Sequence, residues 1–316
     1  MARSTGFDDL DGLFTDDVRF KVAKQQGGAT NRISRITKRT PEVMVKISGF
    51  GKGQAHIKAH LDYIGRNAKL ELENERGEII SEKGDIKNLS KEWMNDAGKR
   101  NKNTRDTTNI VLSMPPGTNR NKVKNASREF AKAQFADNHQ YVFVAHEDEK
   151  HPHVHLTVKN LGFDGSRLHI KKGDPQKWRE QFAKELRVQG VEAEATPRRV
   201  RGVVKKPTKQ PILHIRKKGK TPYTDKAKVV EAMKSMTSDK VIPEPWKKTI
   251  TEQQKTIRGA WADLAKFFGG ANPKMANQIK DFLVSMPELT TQNDELKKQL
   301  QSQGNIKQIN ESEIER

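Results

Sequence analysis

Gln140-Tyr-Val-Phe-Val-Ala-His146 and His153-Val-His-Leu-Thr-Val-Lys159, joined by Glu147-Asp-Glu-Lys-His-Pro152, decide the reading of this chain. Each flank is a short apolar-rich run, so the stretch reads as two strands around a short acidic turn. Side chains two apart on a strand share a face. His153 and His155 therefore project together, while Val154 and Leu156 point the other way. The first strand ends at His146, and a short reversal returns it beside that pair. Three neutral imidazoles then converge on one point and leave a fourth metal position open, as catalytic centres require. Four of the nine histidines fall within the ten residues from His146 to His155, a density that argues against a polar surface strand with accidental histidines. His151 shares the parity of the pair, but its place in the turn beside Pro152 makes it the weaker ligand. By donor chemistry the set suits zinc, iron, copper or nickel; Mg²⁺ or Mn²⁺ would need phosphate oxygens to complete the shell.

The segments on either side build a domain around this hairpin. Val43-Met-Val-Lys-Ile-Ser48 reads as a strand, followed by a flexible turn with Gly49, Gly51 and Gly53. Residues 54–66 read as a helix whose core stripe is Ile57, Leu61 and Ile64. Leu70-Glu-Leu72 and Glu78-Ile-Ile80 suggest a hairpin, and 86–99 a helix with Leu89 and Trp93 four apart. Residues 108–114 form a strand stopped by Pro115-Pro116-Gly117. Residues 121–136 form a helix with Val123, Ala126, Phe130 and Ala133 on one side. Residues 174–189 close the region as a helix, with Asp174 as N-cap and Pro175 at the first helical position. This mixed order with hairpin-length connections predicts an α+β domain, a central antiparallel sheet flanked by helices.

Composition sets the surroundings. Lys and Arg number 60 against 40 Asp and Glu, a formal charge of +20 that points to nucleic acid or an anionic surface as partner. With no cysteine, disulfides and thiolate metal sites are excluded, which fits a reducing cytoplasm. No run approaches the ~18 apolar residues of a membrane span, and the N-terminus lacks the apolar core of a signal peptide. The expected organisation is a flexible extension over 1–42, acidic and then basic; a core domain over 43–200; a basic, proline-bearing linker over 201–222; and a helical region over 223–316. That last region is read as helices at 224–236, 246–268, 273–286 and 288–301.

Tyr63 is one of three tyrosines and stands at the edge of the buried stripe of the 54–66 helix, with His60 beside it. Read alone, it is a boundary tyrosine with a wet hydroxyl. In context it belongs to a series: His60-Leu-Asp-Tyr63-Ile-Gly-Arg66, then Ser113-Met-Pro-Pro-Gly117-Thr118, then His146 to His155. These closely resemble three ordered motifs of the plasmid-mobilisation relaxases related to the T-DNA border endonuclease, a MOBP-type group within the wider HUH class. The resemblance runs from about Val43 to Gly202. It departs at one point: where the family has Asn four residues after the last histidine, this chain has Lys159, with Asn160 one later.

The resemblance implies a conjugative relaxase that nicks one strand of plasmid oriT DNA. Tyr63 would be the nucleophile, His146, His153 and His155 the ligands of a divalent metal (Mg²⁺ or Mn²⁺, other transition metals being open), and Arg66, Ser113, Gly117 and Thr118 the DNA contacts. A phenol with a pKa of about 10 needs help at neutral pH, and Asp62, His60 and Asp148 are the expected bases. The product would be a 5′-phosphotyrosyl strand that can be religated. No nucleotide-binding motif is present, since Gly49-x-Gly51-x-Gly53 lacks the Walker spacing. The implied partners are single-stranded oriT DNA, an accessory relaxosome protein and a type IV coupling protein. The implied place of action is plasmid DNA in the bacterial cytoplasm, followed by passage through a type IV secretion system. Two other readings stay open: a rolling-circle replication initiator of the same class, and a non-catalytic nucleic-acid-binding protein with a structural metal. With every motif between Val43 and Lys159, a 1–220 fragment is expected to retain cleavage.

Overall fold

A computed structural model describes residues 27–95, 100–205, 207–237 and 245–302. In chain order the elements are α1 (Gly27–Thr37), β1 (Met44–Gly51), α2 (Gly53–Ile64), β2 (Leu72–Asn74), β3 (Ile79–Ile80) and α3 (Lys83–Asn95). Then come β4 (Thr107–Ser113), α4 (Arg120–Phe135), β5 (Tyr141–His146), β6 (His153–Lys159) and α5 (Asp174–Val188). The remaining helices are α6 (Gln210–Lys217), α7 (Tyr223–Thr237), α8 (Pro245–Ala271) and α9 (Pro273–Val284). Residues 39–196 form one unit; 197–302, together with 27–38, form another.

The first unit is an α+β domain on one antiparallel sheet in the order β1-β4-β6-β5-β2-β3. Alternation sorts its side chains. Ile110, Leu112, Val154, Leu156, Val158, Tyr141 and Phe143 face α4 and α5, where they meet Phe130, Phe135, Trp178, Phe182 and Leu186. Val142 and Val144 face the opposite side and are covered by Ile57, Leu61 and Ile64 of α2, with Leu72, Ile86 and Trp93 alongside. His153, His155 and Thr157 share that second side by parity.

Two glycines position α2. Gly51, expected in a flexible turn, is instead the last residue of β1: a Cβ there would sit 2.3 Å from Thr107 Oγ1. Gly53 has φ 75° and donates its N–H to Asp106 Oδ2 at 2.6 Å, which anchors the start of the helix. The stripe Ile57, Leu61, Ile64 then fixes the helix's rotation. Leu61→Ala, at a site with 0% exposure, is expected to cost about 3 kcal/mol, read as a lower urea midpoint.

At the other end of the domain, α5 is capped by Gly173 at φ 107° rather than by Asp174. Asp174 is the first helical residue, and its carboxylate accepts from the Lys171 N–H.

The second unit has its own core of Ile33, Ile36, Val200, Ile257, Trp261, Leu264, Phe268, Ile279 and Phe282. Trp261 Nε1 donates to the Val200 carbonyl at 3.0 Å. The structural division therefore falls at 38/39 and 196/197 instead of 42/43 and 200/201. Gly27–Thr37, read as part of a flexible extension, is a helix because Ile33 and Ile36 share a face and are both buried to 1%. Residues 1–26 lie outside the described residues, as do 96–99, the tail of the helix expected over 86–99. Gln210–Lys217, within the expected extended linker, is a two-turn helix with no buried side chain. Of the final helix, expected over 288–301, residues 292–301 are helical. Among the described residues, no helix is long and apolar enough to cross a membrane.

Candidate active site

The hairpin register assembles the histidines. His146 and His153 are direct partners across β5 and β6, and His155 follows two residues on. Ring centroids are 5.1 Å apart for His146 and His153, 4.4 Å for His146 and His155, and 5.3 Å for His153 and His155. One nitrogen from each ring lies within 4.8 Å of the other two. All three therefore fall within about 2.8 Å of one point, against about 2.0–2.1 Å in a formed imidazole–metal bond. His151 is outside this set, its ring 5.4 Å from that of His153.

Protonation favours the ligand form. Burial, with repulsion from His146 and His153, pushes His155 down to about 3, and burial also lowers His146. The far nitrogens are committed to carbonyls. His146 Nε2 lies 2.6 Å from the Ile64 oxygen, so it must carry the proton and donate, which leaves Nδ1 as the nitrogen with a lone pair. His153 Nδ1 likewise faces the His151 carbonyl at 3.3 Å. Such outer partners fix tautomer and ring orientation. Three converging imidazoles, two of them held by carbonyls, fit a divalent metal.

The connecting loop is held from behind. Arg120, at the start of α4, donates to the His146 carbonyl at 3.2 Å and to that of Glu149. Ser113 is 3% exposed and its hydroxyl donates to the Pro152 carbonyl at 3.1 Å, so the structure shows it bracing the loop. Gly117 is exposed at φ 88°, and the Thr118 hydroxyl donates to Pro115 O at 2.9 Å. Lys159 and Asn160 sit at the far end of β6. Lys159 Nζ reaches Gln140 Oε1, while Asn160 bonds Thr108 and the Arg105 carbonyl. Neither orients the histidines; backbone carbonyls do that instead.

Tyr63 occupies the last turn of α2. It is 61% exposed, and its ring meets His155 edge-on at 6.4 Å and 88°. Right after it the chain turns sharply. Arg66, Asn67 and Ala68 have φ of 52°, 57° and 66°, three successive non-glycine residues in the left-handed region, at roughly 1–2 kcal/mol each. The helix therefore ends at Ile64, two residues before the expected end. This conformation aims Arg66 inward. Its Nη2 lies 3.2 Å from His146 Nδ1 and pairs with Asp148 Oδ2, and its Cζ stands 5.3 Å from the Tyr63 ring centre.

The three expected bases differ in position. Asp62 is engaged by Lys58 Nζ at 2.6 Å. Asp148 faces Arg66, which holds its carboxyl below the usual range. His60 Nε2 lies 3.1 Å from Thr157 Oγ1, and burial lowers it to about 4. Burial that disfavours its protonated form makes His60 a weak base.

His60 and His155 also make stability depend on pH. Both are depressed in the fold, so below about pH 6.5 the unfolded chain takes up protons first. Their contribution is whole above that pH and is lost as pH falls toward 4. After discounting for partial exposure, the chelator-treated chain is expected to lose about 2 kcal/mol between pH 7.5 and 5. Urea midpoints at the two values check this; equal midpoints would refute it.

Residues 63–190 match the family described as Relaxase: MobA/VirD2-like, nuclease domain. Over those residues the chain is similar to relaxase nuclease domains. T-DNA border endonuclease VirD2 of Rhizobium radiobacter is 29% identical over 187 residues, covering 52% of this chain and 44% of that protein. The counterparts from Rhizobium rhizogenes and Agrobacterium fabrum are 28% and 27% identical and are covered to 43% and 42%. The match thus spans less than half the length of these relatives. A solved structure described as the molecular basis of vancomycin resistance transfer in Staphylococcus aureus is 16% identical, with a TM-score of 0.34 over 50% of this chain and 98% of that one. Within the matched residues lie Tyr63, the three histidines, Arg66 and Asp148.

Proposed function

We propose that this chain is a conjugative relaxase that nicks one strand of plasmid oriT DNA at a defined site through Tyr63. The observation that carries this is the exposed Tyr63 phenol beside a cluster of three converging histidines, inside the residues that match the relaxase family. A divalent cation, Mg²⁺ or Mn²⁺, held by His146, His153 and His155 would neutralise charge developing on the scissile phosphate. Tyr63 Oη attacks phosphorus and the bond to the 3′ oxygen breaks. The phenolic proton leaves to water or a nearby carboxylate, and the 3′ oxygen takes up a proton. The 5′-phosphotyrosyl ester retains the phosphodiester energy, so the reverse attack religates the strand.

Exposure of Tyr63 in the last turn of α2 suits a single strand laid over it. The +20 charge supplies affinity without sequence preference. On this reading the chain works on plasmid DNA in the bacterial cytoplasm with an accessory relaxosome protein. A type IV coupling protein would then take it, strand attached, to a secretion channel.

The test mixes full-length protein with single strands covering a cognate oriT and Mg²⁺ or Mn²⁺. A covalent protein–DNA band on a denaturing gel, lost with EDTA, is expected. Absence of any adduct across all strands and both metals would sink the proposal.

A further inference from the structure

We propose that Arg66 is an internal competitor for the metal site: its guanidinium holds the His146 lone pair that a metal would take, and must leave for the metal to enter. The inference rests on the metal reading above. His146 Nε2 is committed to the Ile64 carbonyl, so Nδ1 is the nitrogen open to a ligand. That atom faces Arg66 Nη2 at 3.2 Å. A guanidinium cannot be deprotonated in a protein, so the competition is between two cations for one lone pair.

Asp148 keeps Arg66 in place by pairing with the same Nη2. Its other oxygen lies 3.9 Å from His146 Nδ1. When the guanidinium moves off, this carboxylate is left beside the incoming cation. The left-handed run from Arg66 to Ala68 is a strained way to end a helix, and it points the side chain at the cluster. The guanidinium already stands over the Tyr63 ring, with Cζ 5.3 Å from its centre, a contact it can keep as it turns away from His146.

The experiment measures Mn²⁺ binding to full-length protein by calorimetry, with Co²⁺ absorption as a second probe. Arg66→Gln is expected to bind at least tenfold tighter than wild type, and Arg66→Lys, which keeps the charge, to stay within about threefold. An Arg66→Gln chain with unchanged or weaker affinity and a wild-type unfolding midpoint overturns the proposal, as does an Arg66→Lys chain as tight as Arg66→Gln. Should Arg66→Gln fail to fold, the wild-type chain decides. On Zn²⁺ titration the Arg66 Nε–H resonance must move together with the His146 ring signals, and a stationary Arg66 overturns the proposal. His155→Ala separates the two readings. If it abolishes binding while Arg66→Gln changes nothing, only the competitor role fails; if it binds like wild type, the metal site itself fails and this inference with it.

Discussion

Tyr63→Phe is expected to abolish the covalent DNA adduct, lowering strand cleavage by ~10⁴-fold or more, while leaving the fold and the affinity for single-stranded DNA almost unchanged. The substitution removes one oxygen. Tyr63 is 61% exposed, so its loss should change stability by no more than about 0.5 kcal/mol. Affinity should stay within about a factor of three, roughly 0.7 kcal/mol, because charge supplies most of it. Cleavage, in contrast, has no other route if the phenol is the nucleophile, and removing a nucleophile typically costs many orders of magnitude. The other tyrosines are poorly suited to replace it. Tyr141 is buried at 2% exposure in β5, and burial pushes its hydroxyl up to about 12. Tyr223 begins α7, in the other structural unit. The measurement is a denaturing gel beside a fluorescence-anisotropy titration with the same oligonucleotide. An adduct formed by the Phe chain would remove Tyr63 from the role.

The alternation His153-Val-His-Leu-Thr-Val-Lys159 sets the strand bounds and both its faces, and the hairpin register that pairs His146 with His153 follows from a short loop between matched runs. What stayed hidden is what residue identity does not encode. The partners of the histidine rings are the carbonyls of Ile64 and His151, and a backbone carbonyl looks the same in any sequence. The left-handed run at Arg66, Asn67 and Ala68 carries no glycine to announce it, so the helical period reads straight through to Arg66. Ser113 lies in a motif associated with DNA contact, and its bond to the Pro152 carbonyl of the loop is another backbone contact that residue identity does not announce. The helix Gly27–Thr37 escaped notice for a different reason. Among its polar and glycine residues, only Ile33 and Ile36 mark the buried face, too few for a clear period.

A fragment of residues 39–196 is expected to form the adduct at a rate within about threefold of full length, whereas a 1–220 fragment should be aggregation-prone. Both of the shorter chain's cores, the one under α4 and α5 and the one under α2, are complete within it. Its two ends are tied to each other: Val43 N donates to Glu194 O at 2.9 Å, Glu194 N to Pro41 O at 3.0 Å, and Thr196 N to Glu42 Oε2 at 2.7 Å. The proposed nucleophile and metal ligands lie between these ties. Cutting at 220 keeps the same site but divides the second unit. Ile33, Ile36 and Val200, buried to 1% or less, would lose Ile257, Trp261, Ile279 and Phe282. Each such side chain returned to water forfeits about 1.5–3 kcal/mol, and together they form an exposed apolar patch. Neither fragment should support DNA transfer between cells, since the helical unit is the remaining candidate for recruitment. Light scattering, a melting curve and the adduct gel on the two fragments make the comparison. If residues 39–196 melt cooperatively yet form no adduct, the helical unit or its basic flanks belong to the DNA grip, and the domain is not autonomous in its chemistry.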